Sequence, residues 1–154
     1  MDMERWFSLA GNLVLPGWLL LVFLPRWRYS ARFVAPVLIP SILAVGYLTL
    51  FARNSSPADF SNFGSLAGVK SLFQIDALLL AGWIHYLAFD LFVGSWEVRD
   101  AQSVGVPHLA VVPCLFFTFM LGPVGLLAYL VLRCALRRQC LIDESASHAP
   151  FCRQ

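Results

Sequence analysis

Charge is what this sequence has least of. Of its 154 residues, 13% are Asp, Glu, Lys or Arg, while 59% are apolar, and the mean hydropathy is +0.72. Soluble domains carry about 25% charged and about 45–50% apolar residues. One domain of this length cannot hide so much apolar surface from water, and the same excess excludes disorder. The net charge of +2, with no face dense in Lys or Arg, excludes a nucleic-acid partner. Three histidines are too few for a histidine-rich metal hydroxylase, so no metal is expected. The four cysteines, Cys114, Cys134, Cys140 and Cys152, form no C-x-x-C pair and read as free or buried thiols. Gly-rich phosphate loops, nucleophile elbows and internal repeats are absent as well.

Long apolar runs are what the sequence does have. A membrane-spanning helix needs about 20 mostly apolar residues, and four runs qualify: Trp6–Leu24, Phe33–Ala52, Ala77–Trp96 and His108–Leu132. Three hold no charged residue; the third holds Asp90. The expectation is an all-α, four-helix transmembrane bundle forming one integral membrane domain over residues 1–154, with 139–154 as a polar mobile tail. The first run contains Pro16-Gly17, and no small-residue cleavage site follows it, so it reads as a retained helix rather than a signal peptide. Four crossings put both termini on one side. That side holds seven of the 11 basic residues, and the positive-inside rule then places the termini in the cytoplasm.

Between the second and third runs, Ser65 followed by Leu66, Val69 and Phe73 at helical spacing predicts a short interfacial helix. In the fourth run, Gly122-Pro123 predicts a kink, since proline removes a backbone hydrogen bond. Thr118 or another helix would serve the freed carbonyl, and Gly122 and Gly125 would permit close helix approach.

Ionisable groups within a membrane are expensive and call for a reason. They concentrate in the third run and after it: His85, Asp90, Glu97, Arg99, Asp100 and His108. Asp76, Trp83, Asp90 and Glu97 are seven apart and fall near one line, which Tyr86 joins. His85 is five residues before Asp90, about 140° away, so the two do not form a pair on one face. Ending the span at Trp96 puts Asp90 about 9 Å below the surface. Asn12 and Arg32 are further polar groups within or at the ends of spans. A protonated Asp90 can donate a proton and an ionised one can accept it. The structural alternative is an ion pair of Asp90 with Arg32 or Arg99 that locks the bundle, with His85 bonded to a backbone carbonyl and the aromatic residues as packing.

The strings Gly64-Ser65-Leu66-Ala67-Gly68-Val69, Ala81-Gly82-Trp83-Ile84-His85-Tyr86-Leu87-Ala88-Phe89-Asp90-Leu91-Phe92-Val93-Gly94, Arg99-Asp100-Ala101, Pro107-His108, Pro113-Cys114-Leu115 and Gly122-Pro123-Val124-Gly125-Leu126-Leu127 resemble the abscisic-acid-deficient-four-like membrane proteins. The resemblance covers roughly Trp6 to Arg133. Plant members are tied to neoxanthin synthesis in plastids, and the resemblance implies an isomerisation in which an epoxide opens to an allene and a hydroxyl. Such a step needs an acid and a base but no redox cofactor. It implies His85 and Asp90 as the main acid/base candidates and Asp100 and His108 as second candidates. Arg99 would stabilise an oxyanion, and Asn12, Arg32, Trp83 and Tyr86 would line the substrate site. Met1-Asp2-Met3-Glu4-Arg5 carries no transit segment, so a bacterial inner membrane is the expected location, and a plastid membrane that of the plant relatives. The substrate is then a carotenoid or another polyene or isoprenoid, with a homo-oligomer or a complex of pigment enzymes compatible with it. Two rival readings are a non-catalytic carotenoid-binding or scaffold protein and a small transporter; Asp90 lying off-centre in its span counts against the transporter.

Overall fold

The computed structural model describes residues 2–56 and 62–137, which are helical with short connections. Helix α1 is Met3–Phe23, capped by Asp2, whose carboxylate accepts from the Arg5 N–H. Helix α2 is Ser30–Asn54. Its first part, Ser30–Leu38, is wound as a π-helix around the buried Pro36, and Ile39–Asn54 continues as α-helix. Helices α3, Leu66–Leu72, and α4, Asp76–Val104, follow. Helix α5 is His108–Leu121 and α6 is Pro123–Arg137. Three of these, α1, α2 and α4, are long and apolar enough to cross a membrane. Large apolar side chains lie exposed along them, among them Leu9, Leu19, Val45, Leu48 and Phe89, as befits a surface whose solvent is hydrocarbon.

The expected short helix is present as α3, and the Ser65 hydroxyl accepts from the Gly68 N–H at 3.1 Å, the N-cap that the sequence offers. The predicted third span runs longer than its apolar stretch. Helix α4 continues through Glu97, Arg99 and Asp100 to Val104 and stops at Gly105, whose φ of 76° is left-handed. There the Val106 N–H reaches back to the Ala101 carbonyl at 2.8 Å, the bond of a Schellman ending. Asp90 is therefore the middle residue of α4, about 21 Å from either end, rather than close to one surface.

Helices α1 and α4 run side by side in the same direction. Met3 and Glu4 share a cleft with Asp76 at one end, and at the other the Gln102 side chain donates to the Pro25 carbonyl at 2.6 Å. Helix α2 runs opposite to α4, bringing Tyr47 to His85. Midway along, Trp18 lies against Gly94, where a Cβ would come within 2.7 Å of the indole, so this close packing requires glycine.

The fourth expected span is not one rod. Helix α5 descends antiparallel to α4 from His108 until Thr118 meets Glu97 and Gly122 meets Asp90. Gly122, at φ 47°, then reverses the chain, and Pro123 starts α6 at the first helical position, where its missing N–H costs nothing. Helix α6 climbs back parallel to α4: Tyr129 meets Trp96 and Asp100, and Arg133 meets Asp100. A rod continuing α5 would carry Tyr129 away from Asp100 instead. The close approach foreseen for Gly125 is to the hairpin's own first arm, because a Cβ there would strike the Thr118 backbone and hydroxyl. The expected four-helix bundle is thus three long helices with a helical hairpin that reaches half their length. The expected polar tail, 139–154, lies outside the described residues.

Candidate functional site

The line of residues seven apart on α4 faces two different surroundings. Above Asp90 it is covered by the hairpin. Below Asp90 the hairpin is absent, and the α1–α4 groove lies open. A cleft of about 380 Å³ occupies this groove, lined by Met3, Glu4, Phe7, Asp76, Leu79, Leu80 and Trp83. Phe7 stacks on Trp83 with ring centroids 5.6 Å apart, and Trp83 stacks on Tyr86 at 5.4 Å. Tyr86, one turn before Asp90, interacts with its carboxyl. An aromatic ladder therefore joins the cleft to the mid-helix acid. A shallower depression of about 350 Å³ on the outside of α1, at Glu4, Arg5, Ser8 and Leu9, touches none of these groups.

At the top of the ladder, Asp90 is half-buried and sits under the hairpin tip. A Cβ on Gly122 would come within 2.8 Å of its Oδ1. Its Oδ2 is buried and has no hydrogen-bond partner among the described residues. An unpaired carboxyl oxygen in a low-dielectric interior is costly and marks a site with a further task or partner.

Two turns on, Glu97 is fully buried. The Thr118 hydroxyl donates to its Oε1 at 2.9 Å and lies 3.0 Å from the Cys114 carbonyl. Glu97 Oε2 is likewise without a partner among the described residues. One turn further, Asp100 is well served: Arg133 lies 2.7 Å away in an ion pair, and the Tyr129 hydroxyl donates at 2.5 Å. Both partners are buried, Arg133 with 2% exposure. Asp100 and Arg133 thus secure α6 to α4, whereas Asp90 and Glu97 keep unused oxygens.

Asp90, Tyr86 and Trp83 are brought together as the sequence suggests. His85 is not with them: it is exposed on the opposite face, stacked on Phe89 at 4.3 Å and tilted against Tyr47 at 6.1 Å. His108 is at the start of α5, its Nε2 2.9 Å from the Val22 carbonyl, where it ties α5 to α1. Asn12 and Arg32 are exposed, and Arg99 is half-buried at the far end of α4. Asp100 pairs with Arg133 rather than approaching Asp90, and no ion pair joins Asp90 to Arg32 or Arg99 among the described residues. Among those residues no group of three or more His, Cys, Asp or Glu is disposed to hold a metal ion.

Sequence reasoning passed over Glu97, Tyr129 and Arg133 as site residues. Glu97 was visible as a member of the seven-residue line. Tyr129 and Arg133 carried only the signal of their i,i+4 spacing on one helix face, at the end of an apolar run where an arginine ordinarily marks the membrane surface.

No curated protein and no solved structure matches the chain significantly. A family model described as ABA4-like, ABA DEFICIENT 4-like, matches residues 5–129. That range takes in the aromatic ladder, Asp90, Glu97, the Gly122 turn and Tyr129. The chain belongs to the ABA DEFICIENT 4-like family.

Proposed function

We propose that this protein is a membrane-embedded isomerase that uses Asp90 for acid/base chemistry on a carotenoid epoxide or a similar polyene. The carrying observation is the placement of Asp90: an acid at the middle of α4, with an unpartnered oxygen, at the inner end of an aromatic ladder that begins in an open cleft, mostly apolar but with Glu4 and Asp76 at its helix-end side. A long apolar ligand enters such a cleft sideways from the bilayer, without crossing water. Trp83 and Tyr86 offer it flat surfaces, and the carboxyl supplies or takes a proton at its reacting end. His85 has no part in this reading, since it faces the other way.

The test is expression in cells that make epoxycarotenoids, with pigments compared between the wild type, Asp90→Asn and His85→Ala. A new isomeric pigment formed by the wild type and by His85→Ala, and lost in Asp90→Asn, supports the proposal. Pigment that co-purifies chemically unchanged with the wild type makes the protein a carrier or scaffold instead.

A second reading, transport of a small ion or metabolite, is favoured by the same central position of Asp90 and by the hairpin that breaks at its level. Transporters bring broken helix ends to the bilayer midplane in this way. Flux through proteoliposomes in the absence of pigment distinguishes it.

The hairpin also bears on orientation. With α1, α2 and α4 crossing and α5–α6 returning, the two ends of the described chain lie on opposite sides. Arg26, Arg28, Arg32, Arg99, Arg133 and Arg137 then share one side, with Arg138 next in sequence, against Arg5, Arg53 and Lys70 on the other. The positive-inside rule then favours a start of α1 outside the cytoplasm and an end of α6 within it.

A further inference from the structure

Glu97 is a buried acid that the proposed chemistry does not use. Its Oε1 is held by the Thr118 hydroxyl at 2.9 Å, and its Oε2 is buried with no partner among the described residues. Asp90 on α4, Cys114 and Thr118 on α5 and Tyr129 on α6 act on it, with Asp100 and Arg133 beyond Tyr129. Arg133 is the one cation of this group, and it is engaged with Asp100 at 2.7 Å. Asp90 and Glu97 lie two turns apart on one face, about 10.5 Å along the axis, in an interior of low dielectric that carries charge interactions much farther than water does. They are also joined through the hairpin. Thr118 bonds to Glu97 through its hydroxyl and, through its carbonyl, accepts the Gly122 N–H at 2.9 Å, while Gly122 rests on the Asp90 carboxyl.

We propose that Glu97 is a proton store for Asp90, so that the two carboxyls titrate as one coupled pair rather than as separate acids. This rests on the reading of Asp90 as the proton-handling group. An isomerisation that takes one proton from carbon and gives one to oxygen is proton-neutral overall, and a second protein site that holds a proton lets Asp90 serve both steps in either order. His85, on the opposite face, does not offer the second site, and Glu97 does. The exchange breaks an O–H bond on one carboxyl and forms one on the other, with no change of electrons; across about 10.5 Å the carrier is water. Glu97 does not touch the ligand cleft and acts through Asp90.

A purely structural Glu97, present to hold the hairpin through Thr118, is the alternative. Glu97→Gln separates the two, because the amide oxygen still accepts from Thr118 but the group no longer carries an exchangeable acid proton. The experiment is an infrared pH titration of the full-length wild type, Glu97→Gln and Asp90→Asn in detergent, with no ligand added. The carboxylic-acid carbonyl band that each variant loses is read. Coupling predicts that removing either acid moves the midpoint of the other by about one pH unit or more. Midpoints that stay fixed, or the absence of any Glu97 acid band across the titration, overturn the proposal. Should Glu97→Gln not fold, Asp90→Asn reads the same coupling from the other side. A coupled pair in a protein that converts no pigment would refute the isomerase and leave the pair standing.

Discussion

Gly122 and Asp90 touch at mid-depth: the glycine turns the hairpin back with its α-carbon against the carboxyl, where a Cβ would come within 2.8 Å of Oδ1. The contact ties the fold to the candidate chemistry, because the turn that ends α5 also forms the ceiling over the acid. Gly122→Ala meets both a left-handed φ of 47° and the Asp90 oxygen. It is expected to cost about 1–3 kcal/mol of stability and to change any activity that depends on Asp90. Denaturant unfolding in micelles, alongside the pigment assay, reads both effects.

Gly125 tests the hairpin without touching the acid. A Cβ there strikes the Thr118 backbone, so the arms must part. Gly125→Ala is expected to lose about 1–3 kcal/mol. Gly11→Ala, on α1 with nothing within 4 Å, is the control and is expected to gain up to about 1 kcal/mol from helix propensity.

The Asp100–Arg133 pair anchors α6. Asp100→Asn removes the counter-charge from an arginine with 2% exposure, and breaking a buried pair by removing one partner costs about 3–5 kcal/mol. Asp100→Leu with Arg133→Met removes both charges and is expected to recover much of that loss. A double-mutant cycle on unfolding free energies measures the coupling, and a double variant no more stable than Asp100→Asn contradicts the anchoring role.

Orientation gives a separate check. Fluorescent-protein fusions fold on the cytoplasmic side, so a reporter placed after Gln154 is expected to fluoresce and one placed before Met1 to remain dark. Fluorescence from both ends would restore an even number of crossings.

The long helices were legible because lipid demands uninterrupted apolar runs, and Phe33–Ala52 needs no tertiary information to be seen. The separation of His85 from Asp90 was legible too, since five residues on a helix turn the second side chain to another face. The hairpin was not. Residues 108–132 have the same composition whether the chain goes straight or turns back, and Gly122-Pro123 signals a break without giving its angle. The angle is set by contacts distant in sequence: Gly125 on Thr118, Tyr129 and Arg133 on Asp100. The end of α4 was misplaced for a related reason. Glu97 and Asp100 look like surface charges until the hairpin that buries Glu97 and pairs Asp100 is in view.

Everything said of Asp90 depends on the chain turning back at Gly122, and one distance decides it. Leu109 and Leu136 are both exposed, near the start of α5 and the end of α6. Spin labels on Leu109→Cys and Leu136→Cys, in a background without the natural cysteines, report their separation by pulsed electron resonance. A returning hairpin predicts labels at the same end of the bundle, within about 20 Å, whereas a continuous fourth helix would hold them about 40 Å apart at 1.5 Å per residue and would contradict the account.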